Sequence, residues 1–322
     1  MGATFWSDAH YRKRAARLAA SGRSAFGFDE DIRQHRVHAG VHPLLDPAKL
    51  KGGRREARDS VAHPTSRAVA VLFDVTGSMH TVPRILQQNL CTLFDRLVNE
   101  KYLVDPAILM GGIGDATCDI APLQVGQFES GNEVEDDLSR LYLEGGGGGQ
   151  KTESYELALY FLARKTALDC FEKRGQKGYA FLIGDELPYG RVKRREVEHL
   201  FGDTLQADIP IEKIVAEVQK KYELFYILPN LTSYYNDREI IGTWQRLLGQ
   251  NVLLLPDPTM ISEAIAATIG LAEGTATMAD IAADLDDSGG PTKSTPSIAA
   301  ALAHATKAVL GWGDGWSNPD GR

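Results

Sequence analysis

Ala68-Val69-Ala70-Val71-Leu72-Phe73-Asp74-Val75-Thr76-Gly77-Ser78-Met79 is the stretch that decides the fold. Its six apolar residues, Ala68 to Phe73, run without polar alternation and are strand length. That pattern suits a strand buried on both faces of a parallel sheet. A short polar loop follows, then apolar positions at Val82, Ile85, Leu86, Leu90, Leu93, Phe94, Leu97 and Val98. Their i, i+3/i+4 spacing predicts an amphipathic helix over Val82–Asn99. Pro83 falls in its first turn, where a missing N–H costs nothing.

Moving outward, the same alternation recurs. Strands are expected at Pro106–Met110, Pro122–Phe128, Gly178–Ile183, Glu223–Leu228 and Asn251–Leu255, with Pro122–Phe128 as an antiparallel edge. Helices are expected at Glu133–Leu143, Glu153–Glu172, Ile211–Tyr222, Asp237–Leu248 and Met260–Leu271. Strands alternating with helices imply βαβ units and a doubly wound, mostly parallel α/β sheet of about six strands with helices on both faces. This unit would occupy residues 63–272. Residues 1–62 form a polar N-terminal extension with a helix near Ala9–Ala20, whose Tyr11-Arg12-Lys13-Arg14 group reads as a solvated face, with contact to an acidic partner as the alternative. Residues 273–322 form a tail with one helical stretch at Ser297–Leu310, and Trp312 and Trp316 near its end.

The bulk numbers exclude several classes. Thirty-five basic against 43 acidic residues leave a formal charge of −8, against a nucleic-acid partner. Cys91, Cys118 and Cys170 are odd in number and lack a CxxC, which argues against a disulfide framework or a zinc site. No apolar run is long enough for a membrane span, and residues 1–20 lack a signal-peptide core. A cytoplasmic protein of undetermined oligomeric state is expected.

Chemistry gathers at three loops: Asp74-Val-Thr76-Gly-Ser78-Met79, Gly145 to Glu153, and Gly184-Asp185. In an open α/β sheet, ligand sites form beyond the carboxyl ends of the strands. Carboxylates and hydroxyls converging there are hard oxygen donors, suited to Mg²⁺. Asp74-x-Thr76-x-Ser78-Met79 resembles the DxSxS-Met motif of von Willebrand factor A domains, with Thr in place of the first Ser. The resemblance covers about residues 63–272. It implies a metal-ion-dependent adhesion site that binds Mg²⁺ (or Mn²⁺ or Ca²⁺) through Asp74, Thr76, Ser78, a Thr after the glycine turn, and Asp185. The Thr position departs from the family pattern: Thr152 is one place off and Glu153 stands where the Thr is expected, so Thr152 is taken as the ligand with Glu153 as its rival. The implied activity is not enzymatic. An open coordination position would accept an acidic residue of a protein partner, as in an accessory or scaffold subunit. The rim offers His80, Asp115, Tyr189, Arg191, Lys193 and Arg194 as partner-binding candidates.

Three alternatives are open. Phe73-Asp74-Val-Thr-Gly77 resembles the loop of haloacid-dehalogenase-like phosphotransferases, with Asp74 as nucleophile, but Thr76 cannot serve as their second acid. Gly145–Thr152 misses a P-loop by one residue, Gln150 standing where glycine is needed. The third is a von Willebrand A scaffold that binds through other surfaces without metal.

Overall fold

In the computed structural model the described residues are 4–79, 81–146, 149, 151–287, 298–299 and 301–302. The main sheet has six strands: β1 (Arg67–Asp74), β2 (Pro106–Ile113), β3 (Leu123–Val125), β4 (Gly178–Ile183), β5 (Tyr222–Pro229) and β6 (Val252–Leu255). Their spatial order is β6-β5-β4-β1-β2-β3. All neighbours are parallel except β3, which runs antiparallel to β2 with Gly111 opposite Val125. The expected mostly parallel α/β sheet with one antiparallel edge is therefore present.

The apolar run of β1 explains its place at the centre. Every residue after Arg67 in the strand is buried. Val69, Val71 and Phe73 enter one core layer, while Ala68, Ala70 and Leu72 enter the other. Alternate side chains of a strand point to opposite faces, so a strand covered on both sides needs apolar residues throughout. The first layer is closed by Val82–Gln88, Leu90–Phe94 and Ile261–Glu273; the second is closed by Tyr155–Arg164, Ile211–Gln219 and Arg238–Leu248.

Two helices differ from expectation. The helix over Val82–Asn99 is broken into Val82–Gln88, Leu90–Phe94 and a wider π turn, Asp95–Asn99. The break lies at Asn89, whose side-chain amide donates to the Thr259 carbonyl at 2.8 Å. The helix over Glu153–Glu172 stops at Arg164 and resumes at Asp169–Arg174. Between them Thr166–Leu168 is extended and pairs with Arg55–Ala57. The Thr166 hydroxyl turns back to the Leu162 carbonyl at 2.7 Å, and the Arg55 N–H bonds the Lys165 carbonyl at 2.8 Å. Tertiary pairing overrides a helical pattern here.

The N-terminal segment packs onto the sheet domain. Its first helix, Asp8–Ser21, is capped by the Ser7 hydroxyl and closed by Gly22 in the left-handed region. The expected solvated face at Tyr11–Arg14 is instead partly a contact face. Tyr11 is buried with its hydroxyl donating to the Gln87 carbonyl at 2.8 Å, and Arg14 pairs with Asp136 at 2.6 Å. Phe26 and Leu45 join the first core layer. Beyond residue 273, a helix at Met278–Asp287 was not anticipated. Of the stretch expected at Ser297–Leu310, residues 298–299 and 301–302 are helical; the rest, with Trp312 and Trp316, lies outside the described residues. No described helix is long and apolar enough to cross a membrane. The three cysteines are free, with Cys170 buried, Cys91 half-buried and Cys118 exposed.

Candidate metal centre

The sheet order reverses direction between β1 and β4, which makes the crevice beyond their carboxyl ends the topological switch point. Asp74 ends β1, and Asp185 lies two residues beyond the end of β4. A chain of short contacts joins their loops. Asp74 Oδ1 accepts from the Thr76 N–H at 2.7 Å and from its hydroxyl at 2.6 Å. Thr76 Oγ1 lies 3.3 Å from Ser78 Oγ, and Ser78 donates to Asp185 Oδ1 at 2.8 Å. Asp185 Oδ2 accepts from the Tyr234 N–H at 3.2 Å. Four of the residues picked from sequence thus stand together.

The glycine turn closes over the first loop. Gly77 N–H donates to the Gly146 carbonyl at 2.7 Å, and Gly145 N–H to the Val75 carbonyl at 3.3 Å. A Cβ on Gly77 would come within 3.1 Å of Gly146 O and 3.2 Å of Gly145 O, so only glycine allows this approach comfortably. The root of the turn is held by the N-terminal segment. Arg33 pairs with Asp29 at 2.8 Å and donates to the Leu143 carbonyl at 2.8 Å, and Leu143 N–H bonds Asp29 at 3.3 Å.

The strand pattern goes against the expected preference for Thr152 over Glu153. The two residues form a short ladder with Leu187–Pro188, so their side chains point opposite ways. Glu153 is 3% exposed and has Asp74 and Glu186 as its strongest charged neighbours, whereas Thr152 is half-exposed. Glu186, which sequence reasoning did not single out, is equally involved. Its carboxyl is influenced by Asp74 and Asp185, which oppose its ionisation, and by Glu153 and Ser78, which favour it. Its backbone carbonyl is fixed by Trp244 Nε1 at 2.9 Å and the Tyr226 hydroxyl at 3.4 Å.

Beneath the carboxylates lies an aromatic floor. Tyr155 meets Tyr226 and Trp244 edge-on, and those two stack at 4.0 Å. The Tyr155 hydroxyl donates to Asp74 Oδ2 at 3.2 Å. It passes so close to Gly184 that a Cβ there would fall 1.8 Å from it, which no side-chain shift of ordinary size relieves.

Burial and mutual repulsion raise these carboxyls. Asp74 is pushed up to about 7, first by burial and then by Asp185, against the bonds from Thr76. Burial, then Asp74 and Glu186, push Glu153 up to about 11. Burial, then Asp74 and Asp185, bring Glu186 up to about 8, and Asp185 is raised by burial. At an effective dielectric of 20, two like charges 4 Å apart cost about 4 kcal/mol, so the group cannot ionise together without a counter-charge.

The donor types at this address, carboxylates and hydroxyls, are those a hard divalent cation takes, and the buried Oε2 atoms of Glu153 and Glu186 lack a hydrogen-bond partner. Among the described residues no three His, Cys, Asp or Glu side chains form a ready metal-binding group. What stands ready is a carboxylate–hydroxyl network centred on Ser78.

The remaining candidates are placed differently. His80 lies outside the described residues. Asp115 is buried, accepts from the Thr117 N–H at 2.8 Å and from the Tyr189 hydroxyl at 3.0 Å, and acts on Glu153 through space. It is tied into a turn. Lys193 is paired with Glu196 at 2.7 Å and sits 4.4 Å over the Tyr189 ring. Arg191 is exposed on a ribbon with Ile209–Pro210, and Arg194 opens the next helix with its N–H on Asp208 at 3.0 Å. Among the described members of this group, Tyr189 is bonded to Asp115. Tyr155, Tyr226 and Trp244 carried no sequence signal beyond being apolar-face aromatics.

No family model and no curated protein matches the chain. Among solved structures it is similar to the pilus adhesin SpaC from Lactobacillus rhamnosus GG in its open conformation, with 10% identity and a TM-score of 0.45. That match covers 68% of this chain and 31% of the adhesin. Proximal thread matrix protein 1 from the mussel byssus matches at 9% identity and a TM-score of 0.38, over 64% of this chain and 47% of that one. The chain thus spans less than half the length of either protein, and likeness at this level fixes neither family nor function.

Proposed function

We propose that the chain is a divalent-cation-binding module of von Willebrand factor A type that holds a protein partner and performs no catalysis. The observation that carries this reading is the continuous network Asp74–Thr76–Ser78–Asp185 at the switch point of the sheet. Mg²⁺ is the expected cation, with Mn²⁺ or Ca²⁺ as substitutes, held by Asp74, Ser78, Asp185 and Glu153, with Thr76 bound directly or through water. The cation would supply fixed positive charge and local order to a site that is otherwise a group of opposed carboxylates. A cytoplasmic location and an accessory or scaffold role in a complex belong to the same proposal.

The phosphotransferase alternative fares poorly on accessibility. Asp74 is fully buried, with Oδ1 occupied by Thr76 and Oδ2 by Tyr155. A nucleophile must reach its substrate. The P-loop reading fares no better, since Lys151 is engaged by Asp237 at 2.6 Å. A metal-free scaffold is favoured by one observation, the lack of a ready three-residue metal group among the described residues.

Thermal unfolding separates the two surviving readings. Anything that binds only the native state raises its melting temperature. Millimolar Mg²⁺ should raise the Tm of the wild type and leave Asp185→Ala unmoved. Identical shifts, or none in either protein, would favour the scaffold. Acetyl phosphate should leave no hydroxylamine-sensitive adduct on Asp74; finding one would restore the phosphotransferase.

A further inference from the structure

Lys221 directly precedes β5, at the end of the sheet away from the carboxylate cluster. The described lysines otherwise fall into two ordinary groups. Some are paired with a carboxylate, such as Lys165 with Asp203 and Lys177 with Glu223; others are exposed to water, such as Lys213 and Lys220. Lys221 belongs to neither. It is half-buried, and no carboxylate among the described residues lies within ion-pairing distance of it. A carbonyl and a ring take the place of a counter-ion: Nζ donates to the Thr166 carbonyl at 2.8 Å and lies 5.8 Å from the centre of the Tyr222 ring. The Tyr222 hydroxyl in turn donates to the Thr166 hydroxyl at 2.9 Å, which closes this corner against Thr166–Leu168. The charged groups acting on Lys221 are Glu172, itself paired with Arg58, and Arg54. A cation drawn out of water without a partner gives way to its neutral form. Burial lowers this group to about 8, with Arg54 adding to the effect and Glu172 opposing it.

We propose that Lys221 is an acylation site, which takes the acyl group of a small acyl phosphate ahead of the exposed lysines of the same chain. The attacking species is the neutral amine, whose lone pair adds to the acyl carbonyl carbon. A C–N bond forms, the C–O bond to phosphate breaks, phosphate leaves with that electron pair, and nitrogen gives its proton to water. At about pH 7.5 an amine titrating near 8 is about a quarter neutral, whereas one near the ordinary 10.4 is about 0.1% neutral. Nucleophilicity falls with basicity, as it does for thiolates, so this ratio of over a hundred shrinks to a net advantage of about tenfold. The product is a neutral amide that keeps one N–H for the Thr166 carbonyl. Acylation therefore removes an uncompensated charge and leaves the donor in place, and it does not depend on a metal at the other end of the sheet.

Lys220 is the internal control, because it is adjacent in sequence and exposed, with no ion pair among the described residues. The full chain is treated with limiting acetyl phosphate and cleaved after glutamate, which leaves both lysines on the peptide 218–223. Fragmentation in the mass spectrometer then gives the acetylation rate of each. The amide resists hydroxylamine, which separates it from any phosphoryl adduct on Asp74. At about pH 7.5 Lys221 should react about tenfold faster than Lys220. Its rate should level off above about pH 8, while that of Lys220 goes on rising to about pH 10. In guanidinium chloride the two rates should converge, since the folded surroundings are what set them apart. Equal rates in the folded chain, or a faster Lys220, would overturn the proposal. So would a Lys221 rate still rising at about pH 10, or an advantage of Lys221 that persists in the denatured chain.

Discussion

Glu153→Gln should flatten the pH dependence of stability of the metal-free protein. Burial, with Asp74 and Glu186 nearby, pushes the Glu153 carboxyl up to about 11 in the fold, against about 4.3 in the unfolded chain. The folded state therefore keeps a proton that the unfolded state has lost. Stability from the neutral carboxyl is full below about pH 4.3 and declines as pH rises toward the folded value. Each pH unit in that window costs about 1.4 kcal/mol per such group, so Glu153 alone removes about 3 kcal/mol between pH 5 and pH 7. At about 2–4 °C per kcal/mol for a domain of this size, the wild-type Tm should fall by about 6–12 °C more than that of the variant. Asp74 and Glu186 are coupled to Glu153, so the difference reads Glu153 together with its effect on their titration. The assay is thermal unfolding in chelator from pH 5 to pH 7, repeated with saturating Mg²⁺. Metal should reverse the trend, because binding to the ionised carboxylates strengthens as pH rises. Parallel Tm–pH curves for wild type and Glu153→Gln in chelator would refute the reasoning.

The clamp on the glycine turn should matter at a distance: Arg33→Ala frees the Leu143 carbonyl and should weaken Mg²⁺ binding about tenfold by calorimetry while the helices keep their circular dichroism. Gly184→Ala should unfold or strongly destabilise the domain, by 3 kcal/mol or more as a rough lower bound in urea, since its methyl cannot coexist with the Tyr155 hydroxyl. A loss under about 1 kcal/mol would mean that Tyr155 moves freely. Tyr155→Phe removes the donor to Asp74 Oδ2 and should cost about 1 kcal/mol in the metal-free protein by the same titration.

The fold was legible because its signal is the length and apolarity of strands buried on both faces. Val69 and Ala70 had to be apolar wherever the helices lay, so β1 and its direction could be read from one line of sequence. The helix through Thr166 was misread because pairing with Arg55–Ala57 is a contact across 111 positions of chain, invisible to local periodicity. Tyr11 and Arg14 were misread for the same reason: their partners, Gln87 and Asp136, are distant in sequence. At the site, Asp74, Thr76 and Ser78 were readable because they share one loop. Asp185 was readable because it follows a buried strand. Glu186 escaped notice although it is the next residue, since nothing local says that its carboxyl turns toward Ser78. The choice between Thr152 and Glu153 needed the register with Leu187 and Pro188, which decides which of two alternating side chains points inward.

The central claim is that a divalent cation sits among Asp74, Ser78, Glu153 and Asp185. Anomalous diffraction from crystals grown with saturating Mn²⁺ tests it most directly. The account predicts one strong peak per chain at the carboxyl ends of β1 and β4, within bonding distance of Ser78 Oγ and with carboxylate oxygens of Asp74, Asp185 or Glu153 completing the shell. A map with no peak in that crevice, or with Mn²⁺ bound only elsewhere on the surface, would contradict it.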